Sequence, residues 1–284
     1  MGTSQSKPPA KGGSPLVPSW ANQDPPTTAP AAPADGNATL PQQQNPPAQP
    51  LPQQTSPAAP PPDLIQPRRH AGFRSSLKRF MASGDGADAQ RALGHYARGS
   101  AGGGAAGGAR VARSARVGGA VISALSNMVA GVTVAPNGFN LASLSGRPIA
   151  DTVAGIVDAF CPPGIIDEDL LRAAMGEALT EAFNGLDDFD PTAVDDYAVV
   201  VATRVFIAEL VFNTISAEQG QAAENVPPLQ AVARENDLRD LIREVTDATA
   251  TPIIQAAGSA LSQNQVSQMV QKIVTLIFEE MSGW

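Results

Sequence analysis

Val266-Ser267-Gln268-Met269-Val270-Gln271-Lys272-Ile273-Val274-Thr275-Leu276-Ile277-Phe278 is the stretch whose reading decides the fold. Its apolar residues Val266, Met269, Val270, Ile273, Val274, Ile277 and Phe278 recur every three or four positions, the period that gathers side chains on one face of an α-helix. The same period continues upstream. Ile149, Val153, Ile156, Val157 and Phe160 mark one apolar face, begun by Pro148 and stopped at Cys161-Pro162-Pro163-Gly164. Leu171, Met175, Leu179 and Phe183 mark the next, from the acidic start Asp167-Glu168-Asp169 to Gly185. Asp190 then reads as a cap and Pro191 as the opening of a third helix, whose stretch Tyr197 to Phe212 is apolar nearly all round and belongs at the centre of a core. Leu238, Leu241, Ile242 and Val245 stripe a charged helix on which Glu235 is spaced to pair with Arg239. Thr251-Pro252 reads as a fresh helix start.

No alternating strand pattern competes, so the expected fold is all-α: a bundle of roughly five to seven helices. A different composition precedes it. The first 67 residues carry 18 of the 26 prolines and a single aromatic, Trp20, too little apolar surface to offset the entropy of ordering. This makes 1–67 a disordered tail, with Pro/Gln runs such as Pro41-Gln42-Gln43-Gln44-Asn45-Pro46-Pro47 favouring an extended polyproline spacer. Residues 68–119 read as a basic, Gly-rich arm with short helices. Phe73, Leu77, Phe80 and Met81 stripe one of them and Asp88 to Arg98 form another, while the run Gly99 to Gly108 reads as a hinge. Residues 120–284 read as the acidic all-α domain.

Charge follows these boundaries. Residues 1–119 hold 12 Lys/Arg against 5 Asp/Glu, and residues 120–284 hold 7 against 22. The arm is therefore a candidate for contact with nucleic acid or an acidic partner through Arg68, Arg69, Arg74, Lys78, Arg79, Arg110, Arg113 and Arg116, with Phe73, Phe80 and Tyr96 as stacking groups. Folding back onto the acidic domain is the other use for the same charges. The uncharged run Val117 to Gly146 has Gly119, Ser123, Asn127 and Gly131 at four-residue spacing, which resembles a membrane-packing face. Ser123, Ser126 and Asn127 in mid-segment favour a buried or interface helix over a membrane-active segment at 118–135.

Chemistry is sparse. Cys161 is the one cysteine, which excludes an internal disulfide and the multi-cysteine zinc patterns and fits a cytoplasmic protein. His70 and His95 sit among arginines with no acid at ligand or triad spacing, and read as polar surface groups. Asp187-Asp188-Phe189-Asp190 and Asp195-Asp196 lack the glycine and terminal glutamate of an EF-hand and read as helix-start charges. No cofactor, metal or catalytic set is expected, and the protein reads as a non-enzyme. What the sequence does display is Met1-Gly2-Thr3-Ser4-Gln5-Ser6: removal of Met1 would leave Gly2 as an unhindered α-amine on a long tether. The hexapeptide fits the myristoylation pattern, but the Gly/Ala/Pro-rich composition looks like that of a high-GC bacterium, so a different modification is favoured.

Met1-Gly2-Thr3-Ser4 with Pro15-Leu16-Val17-Pro18-Ser19-Trp20, Arg91-Ala92-Leu93-Gly94-His95-Tyr96, Gly146-Arg147-Pro148-Ile149-Ala150-Asp151 and Cys161-Pro162-Pro163-Gly164-Ile165-Ile166-Asp167-Glu168 together resemble the QatB family of the bacterial Qat anti-phage defence system. The matching blocks are spread over most of residues 1–185. The resemblance implies a non-enzymatic subunit whose partners are an ATPase (QatA), a QueC-related enzyme similar to the synthase of 7-cyano-7-deazaguanine (QatC) and a TatD-like nuclease (QatD). It also implies that Gly2 is the acceptor of a deazaguanine-type conjugation or is sensed, with Thr3 and Ser4 as recognition neighbours.

Overall fold

The periodic stretch forms the last helix of the molecule, and the other helices are arranged by what packs on it. The computed structural model describes residues 70–284 apart from 101–103, 162, 165–166 and 259–260, with backbone alone for 104–110 and 112–115. These residues fold as eight α-helices with no strand. In order they are α1 (Ala71–Ser83), α2 (Gly86–Gly99), α3 (Gly104–Val129), α4 (Ile149–Phe160), α5 (Glu168–Ala182), α6 (Asp196–Ser216), α7 (Pro228–Ala257) and α8 (Gln263–Ser282). The fold is all-α, as the periodicity demands.

α8 starts on a capping box: the Gln265 amide accepts the Ser262 N–H at 3.0 Å while the Ser262 hydroxyl accepts from Gln265 N. Its stripe is fully interior, with Val266, Val270, Ile273, Val274 and Ile277 all at 0% exposure. Burying each such side chain is worth about 1.5–3 kcal/mol, so this one face commits α8 to the centre.

α3 runs along α8, and small residues set the distance between them. A Cβ on Gly119 would lie 2.6 Å from the Ser267 Oγ of α8, and one on Gly118 would lie 2.0 Å from the Phe206 ring of α6. Ser123 Oγ donates to the Leu261 carbonyl at 3.0 Å. Gly119 and Ser123, the first half of the face that resembled a membrane-packing stripe, are therefore packed against α8 and the residues that lead into it, whereas Gly131 is exposed beyond the end of α3. Among the described residues α6 is the helix long and apolar enough to cross a membrane, and 72% of its apolar window is buried inside the protein.

The basic segment is part of the same packing. Phe73, Leu77 and Phe80 of α1 and Leu93 and Tyr96 of α2 belong to one hydrophobic cluster with α3, α6 and α8. The boundary drawn in sequence between residues 119 and 120 lies inside α3. Of the two uses offered for the described part of the arm, folding back is what the structure displays. His70 departs from its surface assignment: it is 6% exposed and stacks on Tyr96 at 5.1 Å, because the α1 start turns it toward the core aromatics.

Helix limits differ from the sequence reading in three places, each with a local cause. The hinge read at Gly99 to Gly108 gives way to helix at Gly104, whose α3 carries the buried positions Val121, Ile122 and Leu125 onto the core. Pro191 opens only a 3-10 turn, Pro191–Ala193, and α6 begins at Asp196 because the Asp195 side chain accepts from Ala198 N at 2.8 Å. Pro252 does not restart a helix but lies within α7, where it and Ala248 are both exposed, so the carbonyl left without a donor can be hydrated.

Gly118→Ala is expected to lower stability by about 1–3 kcal/mol, because the aromatic ring it would strike is fixed in the core. Gly119→Ala is expected to cost less, since the Ser267 hydroxyl can turn away. Urea unfolding of the two variants measures the difference.

Candidate functional site

Gly2, Thr3, Ser4, Arg68 and Arg69 lie outside the described residues. Of the other basic candidates, two are engaged with their own chain. Arg74 Nε donates to the Glu218 carbonyl at 3.0 Å and its Nη2 lies 3.5 Å from the Glu218 carboxylate. Arg79 donates to Ser76 Oγ at 3.0 Å and reaches Asp88 at 3.8 Å. Lys78 and Arg116 are exposed, and Arg110 and Arg113 fall on the first half of α3. Phe73, Phe80 and Tyr96 are 1%, 1% and 5% exposed, so the rings proposed for base stacking are core rings with no face to offer. Among the described side chains, Arg74, Lys78, Arg79 and Arg116 therefore have none of these three rings exposed beside them.

The strongest polar constellation joins α6 to α7, and sequence spacing did not reveal it. Glu209, 1% exposed inside the most apolar helix, accepts from Arg243 Nη2 at 2.8 Å and Nε at 3.1 Å. Its second oxygen lies 3.4 Å from Arg239 Nε. Arg239 also lies over the Phe212 ring at 4.4 Å, so its partners are on α6 and not the expected Glu235. Glu209 and Phe212 are three residues apart on one α6 face, which is what aims both at the same guanidinium. Arg243 extends the network to Glu181 of α5 at 3.3 Å, and Arg204 grips Asp247 with two 2.7 Å bonds. Burial works against the Arg243 charge, but its bond to Glu209 together with the negative charges of Glu209, Glu181 and Asp240 outweighs that and holds its pKa above the ordinary value. One Glu209 oxygen is hydrogen-bonded by Arg243 and the other lies at ion-pair distance from Arg239, so this network is a clamp between helices.

Cys161 caps α4 and is 0% exposed. Burial pushes its thiol up to about 11, with the Arg172 charge only partly offsetting it. Arg172 spends its guanidinium on the Cys161 carbonyl, at 3.0 Å, and on Asp158. A buried thiol whose neighbouring carboxylates, Asp158 and Glu168, push its pKa further up is a packing group. Among the described residues no group of three His, Cys, Asp or Glu could hold a metal ion. The acidic string acts at turns: Asp190 accepts from Thr192 through its hydroxyl and its N–H, which lowers the Asp190 pKa.

One apolar cleft opens into the body, about 340 Å³ between α3, α6, α7 and α8. Ile122, Val199, Val200, Leu261 and Met269 form its walls, and Asp196 is its one carboxylate. The Thr203 hydroxyl in it already donates to the Val199 carbonyl at 2.7 Å. Such a recess suits an apolar side chain and contains no acid–base pair among its described lining residues.

Fold and surface thus define an all-α protein whose described recesses are suited to holding other groups. The family model described as QatB, Qat anti-phage system associated protein QatB, matches residues 102–281. The chain belongs to the QatB family, which makes it a component of the Qat anti-phage system with partners inside that system. No curated protein and no solved structure matches it. The family match extends to residue 281, through a stretch where the quoted sequence blocks gave no resemblance, and begins after the Arg91–Tyr96 block.

Glu209→Ala is expected to lower stability by about 3 kcal/mol, the low end for a broken buried pair because both arginines are about a third exposed. Chemical denaturation checks it. The Cys161 thiol has a raised folded pKa, so the native state disfavours the thiolate. Its contribution to stability is complete below the unfolded value of 9.0 and is lost as pH climbs to about 11. Comparing wild type with Cys161→Ala across that window should therefore show a steeper alkaline loss in wild type, and thiol reagents should label the native protein only on unfolding.

Proposed function

We propose that this chain is a non-enzymatic subunit of the Qat system, whose helical body binds the ATPase (QatA) and whose N-terminal segment presents Gly2 to the QueC-related enzyme (QatC). The observation that carries this reading is the way the body's own reactive groups are used. The one thiol is buried and held protonated, His70 is stacked in the core, and Glu209 is clamped by two arginines. A terminal glycine amine has neither restriction. With a pKa of about 8, a sizeable fraction of an α-amine is neutral near pH 7.5, whereas a lysine amine is almost wholly protonated. It also carries no side chain to obstruct an approaching active site.

In the proposed step the neutral Gly2 amine attacks the activated carbon of a deazapurine supplied by the QueC-related partner. The C–N bond forms as the activating group leaves with its electron pair, and the amine proton passes to a base on that partner. Thr3 and Ser4 are short enough to enter the partner's site beside Gly2, and their hydroxyls supply the polar contacts for recognition. A reading based on nucleic-acid binding has less support, because the rings it needs are interior and Arg74 and Arg79 already have partners.

Intact-mass analysis of the chain co-expressed with the remaining Qat components tests the proposal. The expected result is an added mass on the peptide that begins at Gly2, lost in Gly2→Pro, which has no primary amine, together with loss of phage protection. An unmodified terminus in cells that are resisting phage contradicts it.

A further inference from the structure

A second recess lies between α7 and α8, away from the apolar cleft. It consists of two adjoining open depressions of about 440 and 510 Å³ that share Thr249, Glu280 and Trp284. Leu241, Val245 and Ala248 of α7, at helical spacing, and Leu276 of α8 supply the apolar floor. Glu244, Glu279 and Glu280 supply the rim, and the lining includes no lysine or arginine. None of these three carboxylates pairs with a cation among the described residues, although most arginines of the body are paired.

The fold also fixes the aromatic end of this groove. Arg98 of α2 donates through one nitrogen to the Ser282 carbonyl at 2.5 Å and the Trp284 carbonyl at 2.8 Å. Gly94 permits the approach, since a Cβ there would lie 2.6 Å from Trp284 O. The Arg91–Tyr96 block thus contributes a contact surface that holds Trp284 against the groove.

We infer that the α7–α8 groove is the surface on which a Qat partner docks, and that the docking element is a basic amphipathic helix. The chemistry of the groove selects that occupant. An apolar floor of helical length takes the apolar stripe of a helix. Unpaired carboxylates along the rim take the lysines or arginines flanking that stripe, and an indole face accepts a guanidinium. The acidic excess of residues 120–284 attracts such a segment before contact. The inference rests on the reading that the body docks on a Qat partner, and it is independent of any modification at Gly2.

The test measures binding of the full chain to the purified remaining Qat components, for wild type, for Glu244→Lys/Glu280→Lys and for Trp284→Ala. Asp187→Lys/Asp188→Lys, a charge reversal far from the groove in sequence and absent from its lining, is the control. Circular dichroism confirms that each variant is folded. The groove variants should bind at least tenfold more weakly, the control should match wild type, and wild-type binding should weaken steeply with added salt. Equal binding by the groove variants overturns the assignment of the groove and leaves partner docking intact. If wild type itself captures no Qat component, the docking reading fails and takes the groove with it. A change confined to self-association identifies the occupant as a second copy and also overturns the proposal.

Discussion

The close approach of α3 to α8 is the constraint on which the rest of the structure depends. It is made possible by the missing side chain at Gly119 and fastened by the Ser123 bond to Leu261, while Gly118 admits α6 on the neighbouring side. With α3 drawn in, the Phe206 ring occupies the space over Gly118, and α6 becomes a helix enclosed on most sides. An all-round apolar helix is stable in water only when it is enclosed in this way. α1 and α2 then complete the cover, placing Phe73, Leu93 and Tyr96 in the same cluster as Phe278.

Polar interactions refine this arrangement. The α6–α7 clamp places a carboxylate inside an apolar helix, which is tolerable because Arg239 and Arg243 both come to Glu209. Such a clamp adds a directional requirement that apolar contacts lack: α7 must present both arginines at one rotation about its axis. The Arg204–Asp247 pair applies the same requirement from the opposite direction along the seam. Among the described residues most arginines are engaged in ion pairs, while the carboxylates between α7 and α8 have no cation partner there.

Helix existence was legible from the sequence wherever apolar residues kept a 3.6-residue period, as in α4, α5 and α8, and where proline or aspartate marked an end. Limits were misread where a local signal was outweighed by packing: the glycines at 104–108 belong to α3, and Pro252 continues α7 on an exposed face. The stripe Gly119, Ser123 was visible, but a small-residue face says only that something packs closely, not whether the neighbour is this chain or another. Long-range polar choices were not legible at all. Glu235 is correctly spaced for Arg239, yet Glu209, thirty positions away, is the buried charge that the arginine must neutralise. His70 looked like a surface group because its neighbours in sequence are basic, while its neighbours in space are Phe73 and Tyr96. The candidate site was legible only in part. The lack of a catalytic spacing pattern directed attention to binding, but Leu241, Glu244, Leu276 and Trp284 come together only when α7 and α8 are laid side by side.

Native-state hydrogen exchange on the full chain tests the dependence on α3 and α8 most directly. The account predicts that amides of residues 118–129 and 266–278 are the slowest to exchange and open together, at the free energy of global unfolding, with α1 and α2 losing protection in that same event or before it. Residues 118–129 exchanging at a much lower free energy than 266–278, as a separate unit, would contradict it.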